Sequence, residues 1–147
     1  MHAEQMAEEY PVVTVDSDAM EAARLLAEHR LPGLVVTDQG RPSSILPASQ
    51  VVRFLVPGYV QDDPSLARVL DESMSDQIAK SLGGKSVGEL VRDGTPELAV
   101  VDADDTIIEV AAIMARLRCP LAAVMRADQL IGVITASRLL QVALAAE

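Results

Sequence analysis

Aromatic side chains are nearly missing from this chain: it has no tryptophan, and only Tyr10, Phe54 and Tyr59 among 147 residues. Half of the residues are nonetheless apolar, so the core is aliphatic and packs Ala, Val, Leu and Ile between closely spaced elements. One cysteine, Cys119, excludes an intrachain disulfide and fits a reducing compartment. Beside Pro120 it reads as a small buried hydrophobe. With only His2 and His29 present, no metal set of usual spacing and no Cys–His or Ser–His–Asp arrangement can be composed. His29, late in a helical stretch, reads as a C-terminal residue favoured by the helix dipole. No apolar run reaches the ~18 residues of a membrane span. The acidic start MHAEQMAEEY lacks the basic-then-apolar order of a signal peptide, so a cytoplasmic protein without membrane insertion is expected. Cations are also short. Twelve Lys and Arg stand against 22 Asp and Glu, a net charge of −10, which repels nucleic-acid backbones and anionic lipid at long range. A local pocket on such a protein can still be positive and hold a small anion.

What the chain does have is a repeat. Val101 to Leu140 falls without a gap on Val13 to Val52 when moved back by 88 residues. Identical pairs include Asp16/Asp104, Glu21/Glu109, Arg30/Arg118, Pro32/Pro120 and Ser49/Ser137, ten in all, where chance gives roughly three. Most other pairs exchange one apolar residue for another, so the repeated property is a core pattern.

In order, Met1 to Tyr10 reads equally as a short helix anchored by Met6 or as a frayed end, and Pro11 to Val15 as a strand. Asp18 with Glu21, and its counterpart Thr106 with Glu109, have capping-box spacing and open helices running to about His29 and Leu117. The second of these, IIEVAAIMARL, is apolar nearly all round, so the other repeat or a second subunit is expected to cover it. Pro32 and Pro120 end the helices and start extended runs. A turn and a second strand follow, ending near Leu46 and Thr135, then helices from Ala48 and Ala136. Each copy therefore reads strand, helix, strand, strand, helix. Between the copies, Asp63-Pro64 opens a stripe of Leu66, Leu70, Met74, Ile78 and Leu82 that Gly83-Gly84 ends. Ser86 and Glu89 form a third capping box, and Gly94-Thr95-Pro96 turns the chain into the next strand.

The order SVGELV, a strand ending at Val101, Asp104-Asp105-Thr106 opening an Ile- and Ala-rich helix, Cys119-Pro120-Leu121 and Gly132-Val133-Ile134-Thr135 resembles a CBS domain. Two in tandem resemble a Bateman module. The resemblance implies an α/β (α+β) fold: two βαββα repeats packed by their sheets about a pseudo-twofold axis, with an extra connecting helix. The expected organisation is repeat one at 1–56, a connecting segment at 57–85 and repeat two at 86–147. Such modules bind adenine nucleotides in clefts between the repeats, pair into dimers through helices, and are regulatory rather than catalytic.

In that family the last strand and helix carry a G-h-h-T-x-x-D pattern, where h is apolar. Its Thr suits a phosphate at a helix N-terminus, and its Asp accepts both hydroxyls of a ribose. Repeat two matches through Thr135, but the Asp position holds Arg138, a donor without an acceptor. Arg138 can instead grip a phosphate or carboxylate bidentately, or read as a solvated helix residue, with Thr135 as a plain N-cap. In repeat one Pro47 and Gln50 replace Thr and Asp. Losing the charged double hydrogen bond costs about 1.5 to 3 kcal/mol, one to two orders of magnitude in affinity. The resemblance implies a ligand set of Thr135, Arg138, Ala136, Pro120, Leu121 and Val100, with Gln50, Pro32 and Gly33 from repeat one. The leading expectation is a homodimeric regulatory module that senses AMP, ADP, ATP, S-adenosylmethionine or another anionic metabolite. Its target would be a separate enzyme or transporter. The alternative is a ligand-free pair kept for dimerisation and protein binding.

Overall fold

The computed structural model describes residues 1–56, 58–69, 73–91 and 95–145. In chain order the elements are α1 (Ala3–Met6), β1 (Val12–Thr14), α2 (Ala19–Glu28), β2 (Gly33–Asp38), β3 (Arg41–Pro47), α3 (Ala48–Leu55), α4 (Gly58–Asp62), a 3₁₀ helix (Pro64–Val69), α5 (Met74–Leu82), α6 (Val87–Leu90), β4 (Ala99–Asp102), α7 (Ile107–Leu117), β5 (Leu121–Arg126), β6 (Gln129–Thr135) and α8 (Ala136–Ala145). Each repeat forms a three-stranded sheet in chain order. β1 is parallel to β2 and β2 antiparallel to β3, with the same arrangement for β4, β5 and β6. Parallel neighbours need a crossover, and α2 and α7 supply it.

Even the irregularities recur 88 residues apart. The register shifts at Val36/Thr37 and again at Val124/Met125. Arg30 and Arg118 turn left-handed at φ 53° and 51°, and Gln39 and Ala127 at φ 52° and 54°. Side chains alternate across the strands. Leu34, Val36 and Leu46 face repeat one's own helices, whereas Val35 and Ile45 belong to the core that contains Ala123 and Val133 of repeat two. The sheets pack face to face there.

The N-terminal segment settles as a helix, and it serves the other repeat. Ala3 and Met6 are fully buried in repeat two's core, Glu8 and Val133 exchange two backbone hydrogen bonds at 3.0 Å, and Arg126 pairs with Glu4. The short helix α6 mirrors this, with Val87 and Leu90 fully buried in repeat one. The ties are equivalent bond for bond. Ala3 N–H donates to the Asp105 carbonyl and Glu4 N–H to that of Ala103, as Val87 N–H donates to Ser17 and Gly88 N–H to Val15. Each short helix thus closes the repeat that it does not lead into.

Two of the three expected capping boxes form, at Thr106–Glu109 and Ser86–Glu89. At Asp18 the cap is one-sided: its Oδ1 accepts from Met20 N–H at 3.3 Å. Thr106 Oγ1 can donate to Glu109 at 3.0 Å, but the Asp18 carboxylate has no such proton for Glu21 and repels it. The connecting stripe is not one helix. A 3₁₀ helix, opened by Asp63 Oδ1 accepting from Ser65 N–H at 3.2 Å, precedes α5, which is capped afresh by Ser73 Oγ accepting from Asp76 N–H at 3.2 Å. Leu70 of the stripe and Gly94 of the later turn lie outside the described residues. α5 lies on α3, with Leu82 buried in repeat one's core. Helix α7 buries Val110 and Met114 against its sheet while Ile108 stays 73% exposed, so among the described residues its outer side is bare at that position.

Candidate functional site

The residues singled out from sequence fall into two equivalent clusters, one per repeat. In repeat two, Thr135 ends β6 and caps α8, its Oγ1 accepting from Arg138 N–H at 3.0 Å. The first amide of α8, at Ala136, donates to the Pro120 carbonyl at 2.9 Å. In repeat one Ala48 N–H donates to the Pro32 carbonyl at 3.0 Å. Both prolines therefore recur as acceptors for a helix N-terminus, and each of these amides already has its partner. Leu121 pairs with Thr135 across the ladder and is fully buried. Gly33 pairs with Pro47, and a Cβ there would stand 3.0 Å from the Leu46 carbonyl oxygen. Val100 is 45% exposed on β4, as its counterpart Val12 is 43% exposed on β1.

The two residues in place of the ribose-binding Asp share one task. Arg138 Nε donates to the carbonyl of Met6 at 3.3 Å, and Gln50 Nε2 donates to the carbonyl of Leu90 at 3.2 Å. Met6 and Leu90 are the last residues of α1 and α6, whose carbonyls lack partners within the helix. A carboxylate could only repel them, so both positions hold donors. Arg138 Nη1 also donates to Gln141 Oε1 at 3.2 Å. A bidentate grip on an anion by Nε or Nη1 would therefore break a bond that this fold uses. Gly132 likewise serves the N-terminal segment, since a Cβ there would come within 2.9 Å of Ala7 Cβ and 3.0 Å of the Glu8 carbonyl oxygen.

A roomy hollow lies elsewhere, between the edges of β1 and β6. It measures about 620 Å³ and is walled by Glu9, Tyr10, Val12 and His29 from the first half and by Leu130 to Val133 from the second. A shallower hollow of about 510 Å³ continues it past Val12 and Leu130 to Thr37, Gly40 and Asp128. None of the nine residues chosen from sequence lines either one. Tyr10 sits where the cores of both repeats meet. Its hydroxyl donates to the Gly33 carbonyl at 2.6 Å, and burial pushes its pKa up to about 12. It is therefore a neutral donor at any physiological pH. One signal for this site was in the sequence: Tyr10 and His29 are rare residue types in this chain.

Among the described residues no three of His, Cys, Asp and Glu are grouped to hold a metal ion, and no helix is long and apolar enough to cross a membrane. The CBS domain family matches residues 3–57 and 87–145, one match for each repeat. The chain belongs to the CBS-domain family, and its two copies form the tandem pair called a Bateman module. A CBS domain-containing protein from Kribbella flavida is 64% identical over 98% of this chain and 99% of that one, with a TM-score of 0.90. Two more distant structures share the fold. CBSX2, a CBS-pair protein of Arabidopsis thaliana, in complex with AMP is 18% identical, covering 99% of this chain and 97% of that one, with a TM-score of 0.67. The CBS domain pair of MJ0100, in complex with 5′-methylthioadenosine and S-adenosyl-L-methionine, is 14% identical, covering 100% and 98%, with a TM-score of 0.65. No curated protein matches the chain in sequence.

Proposed function

We propose that this CBS pair is a regulatory module that binds a small adenine-containing ligand between its repeats and acts on a separate enzyme or transporter. The β1–β6 cleft carries the reading. Its volume of about 620 Å³ falls in the range of small-molecule sites, with apolar walls and few polar groups. Both repeats wall it, so a ligand there changes how they sit together, which is what a regulatory output requires. The adenine compounds held by CBSX2 and MJ0100 support the ligand class. The test is a thermal-shift series with adenosine, AMP, ADP, ATP and S-adenosylmethionine on the purified protein. At 100 times its dissociation constant a specific ligand adds about 2.7 kcal/mol, a rise of roughly 5 to 11 °C for a chain of this size. No rise with any compound would remove the sensing reading.

A second reading, association through a second copy, is favoured by the bare helical face of repeat two. Ile108, Leu140 and Leu144 are 73%, 59% and 72% exposed. Beside them a groove of about 540 Å³ runs between α7 and α8, lined by Ala111, Ala115 and Leu139 among others. α8 contains no acidic residue, so two copies of a chain with charge −10 can meet along α8 without its own carboxylates opposing one another. Sedimentation of the wild type and of Leu140→Glu checks this: a dimer that the substitution leaves intact would sink it.

A further inference from the structure

We infer that the β1–β6 cleft selects ligands without net negative charge, so that a nucleoside binds there more tightly than its own phosphate ester. This rests on the ligand-binding reading above and adds the charge that the ligand carries. It also reverses the preference for anions expected from Thr135 and Arg138.

Four observations carry it. First, among the described residues Glu9 is the one with a fixed charge on the larger hollow and Asp128 on its extension, and no described Lys or Arg lines either. The arginine at the far end, Arg41, already faces Asp128 at 3.6 Å. Second, His29 is the C-cap of α2, so the ten-residue helix turns its carbonyl end toward the cleft. That end carries about half a negative charge, the sign that repels phosphate and attracts cations. Third, the first amides of α3 and α8 are already engaged by the Pro32 and Pro120 carbonyls, which removes one donor from each helix N-terminus that would receive a phosphate. Fourth, the walls are apolar at Val12, Ile131 and Val133, which suits a flat base rather than a hydrated anion. The groups facing the ligand are therefore a carboxylate, an imidazole, a helix carbonyl end, aliphatic side chains and the ring of Tyr10, whose hydroxyl is engaged by the Gly33 carbonyl. Together they accept hydrogen bonds from hydroxyls or an ammonium and offer no fixed positive charge.

The test is calorimetric titration of the full chain with adenosine and with AMP, which share the base and ribose and differ by the phosphate. At pH 7.5 and low salt, adenosine should bind at least tenfold more tightly. The gap should narrow in 0.5 M NaCl, where charges are screened over a few ångströms, and in Glu9→Gln, through a severalfold gain for AMP. Val12→Trp, which fills the cleft at a position already 43% exposed, should abolish binding of both, while Arg138→Ala should leave adenosine binding in place. AMP binding as tightly as adenosine or more tightly overturns the inference, as does adenosine binding that survives Val12→Trp but not Arg138→Ala. If neither binds while another compound stabilises the protein, the inference falls and the sensing reading stands. If no compound binds at all, both fall.

Discussion

Replacing Met6 by Ala tests whether the first ten residues are a tail or part of the core. Met6 is fully buried in repeat two's core, whose Val133 and Ile134 lie more than 120 positions away in sequence. Truncating a buried Met to Ala removes its transfer free energy and leaves a cavity, together about 2 to 5 kcal/mol. For a chain of this length that lowers the melting temperature by about 4 to 20 °C. Leu90→Ala, the equivalent change in α6, should cost a similar amount, since Leu90 is also fully buried. Urea unfolding followed by circular dichroism gives both values. A loss below about 0.5 kcal/mol for Met6→Ala, the size expected of a surface change, with a full loss for Leu90→Ala, would refute the exchange of short helices and return the N-terminus to a frayed end.

Three further outcomes follow from particular contacts. Gly132→Ala should displace the N-terminal segment, because the new Cβ would stand 2.9 Å from Ala7 Cβ and 3.0 Å from the Glu8 carbonyl oxygen; exchange of the Glu8 amide proton should accelerate at least tenfold, and unchanged protection would contradict the close approach. Thr106→Ala removes a reciprocal cap from α7 and should cost about 1 kcal/mol. The Thr106 amide and hydroxyl also hold the Glu109 carboxyl below its usual range. That part of the stability is present above the carboxylate's ordinary range and fades as pH falls through the lowered value, so the mutant should show a weaker acid dependence in a melting series. Tyr10→Phe leaves the Gly33 carbonyl without its 2.6 Å donor, for a loss of about 1 kcal/mol. Because Tyr10 is raised from 10.0 to about 12, its contribution is full below pH 10 and is lost as pH rises toward 12. Absorbance titration of the phenolate should show that late transition in the wild type and not in the mutant.

The replacement of both ribose-binding acids takes on a different meaning in this fold. Read from the chain alone, Gln50 and Arg138 are losses from a ligand motif. In the structure they are gains, since each places a donor on the last carbonyl of a short helix. Adding an Asp at 138 to restore the motif would set a carboxylate against the Met6 carbonyl, so recovery of ribose binding there carries a cost in stability. The two uses of the position compete.

Local information decided the repeated framework. The short strand runs, the Thr106 cap and the duplicated prolines act within a few residues of one another, and a second copy 88 positions away repeats each of these signals. That was enough to define the order of elements within each copy and the resemblance to the family. The connecting stripe misled, because every-fourth-residue spacing carries no mark of where one helix stops and Ser73 starts another. What the tertiary structure alone decided is everything that joins the copies: Val35 and Ile45 facing Ala123 and Val133, α1 closing repeat two while α6 closes repeat one, and the cleft between β1 and β6. Glu9, Tyr10 and His29 meet Ile131 only because two sheet edges stand side by side, a long-range arrangement set by packing across the pseudo-twofold axis. No short stretch of sequence contains both sides of such a contact, so the site between the repeats emerges only when they pack.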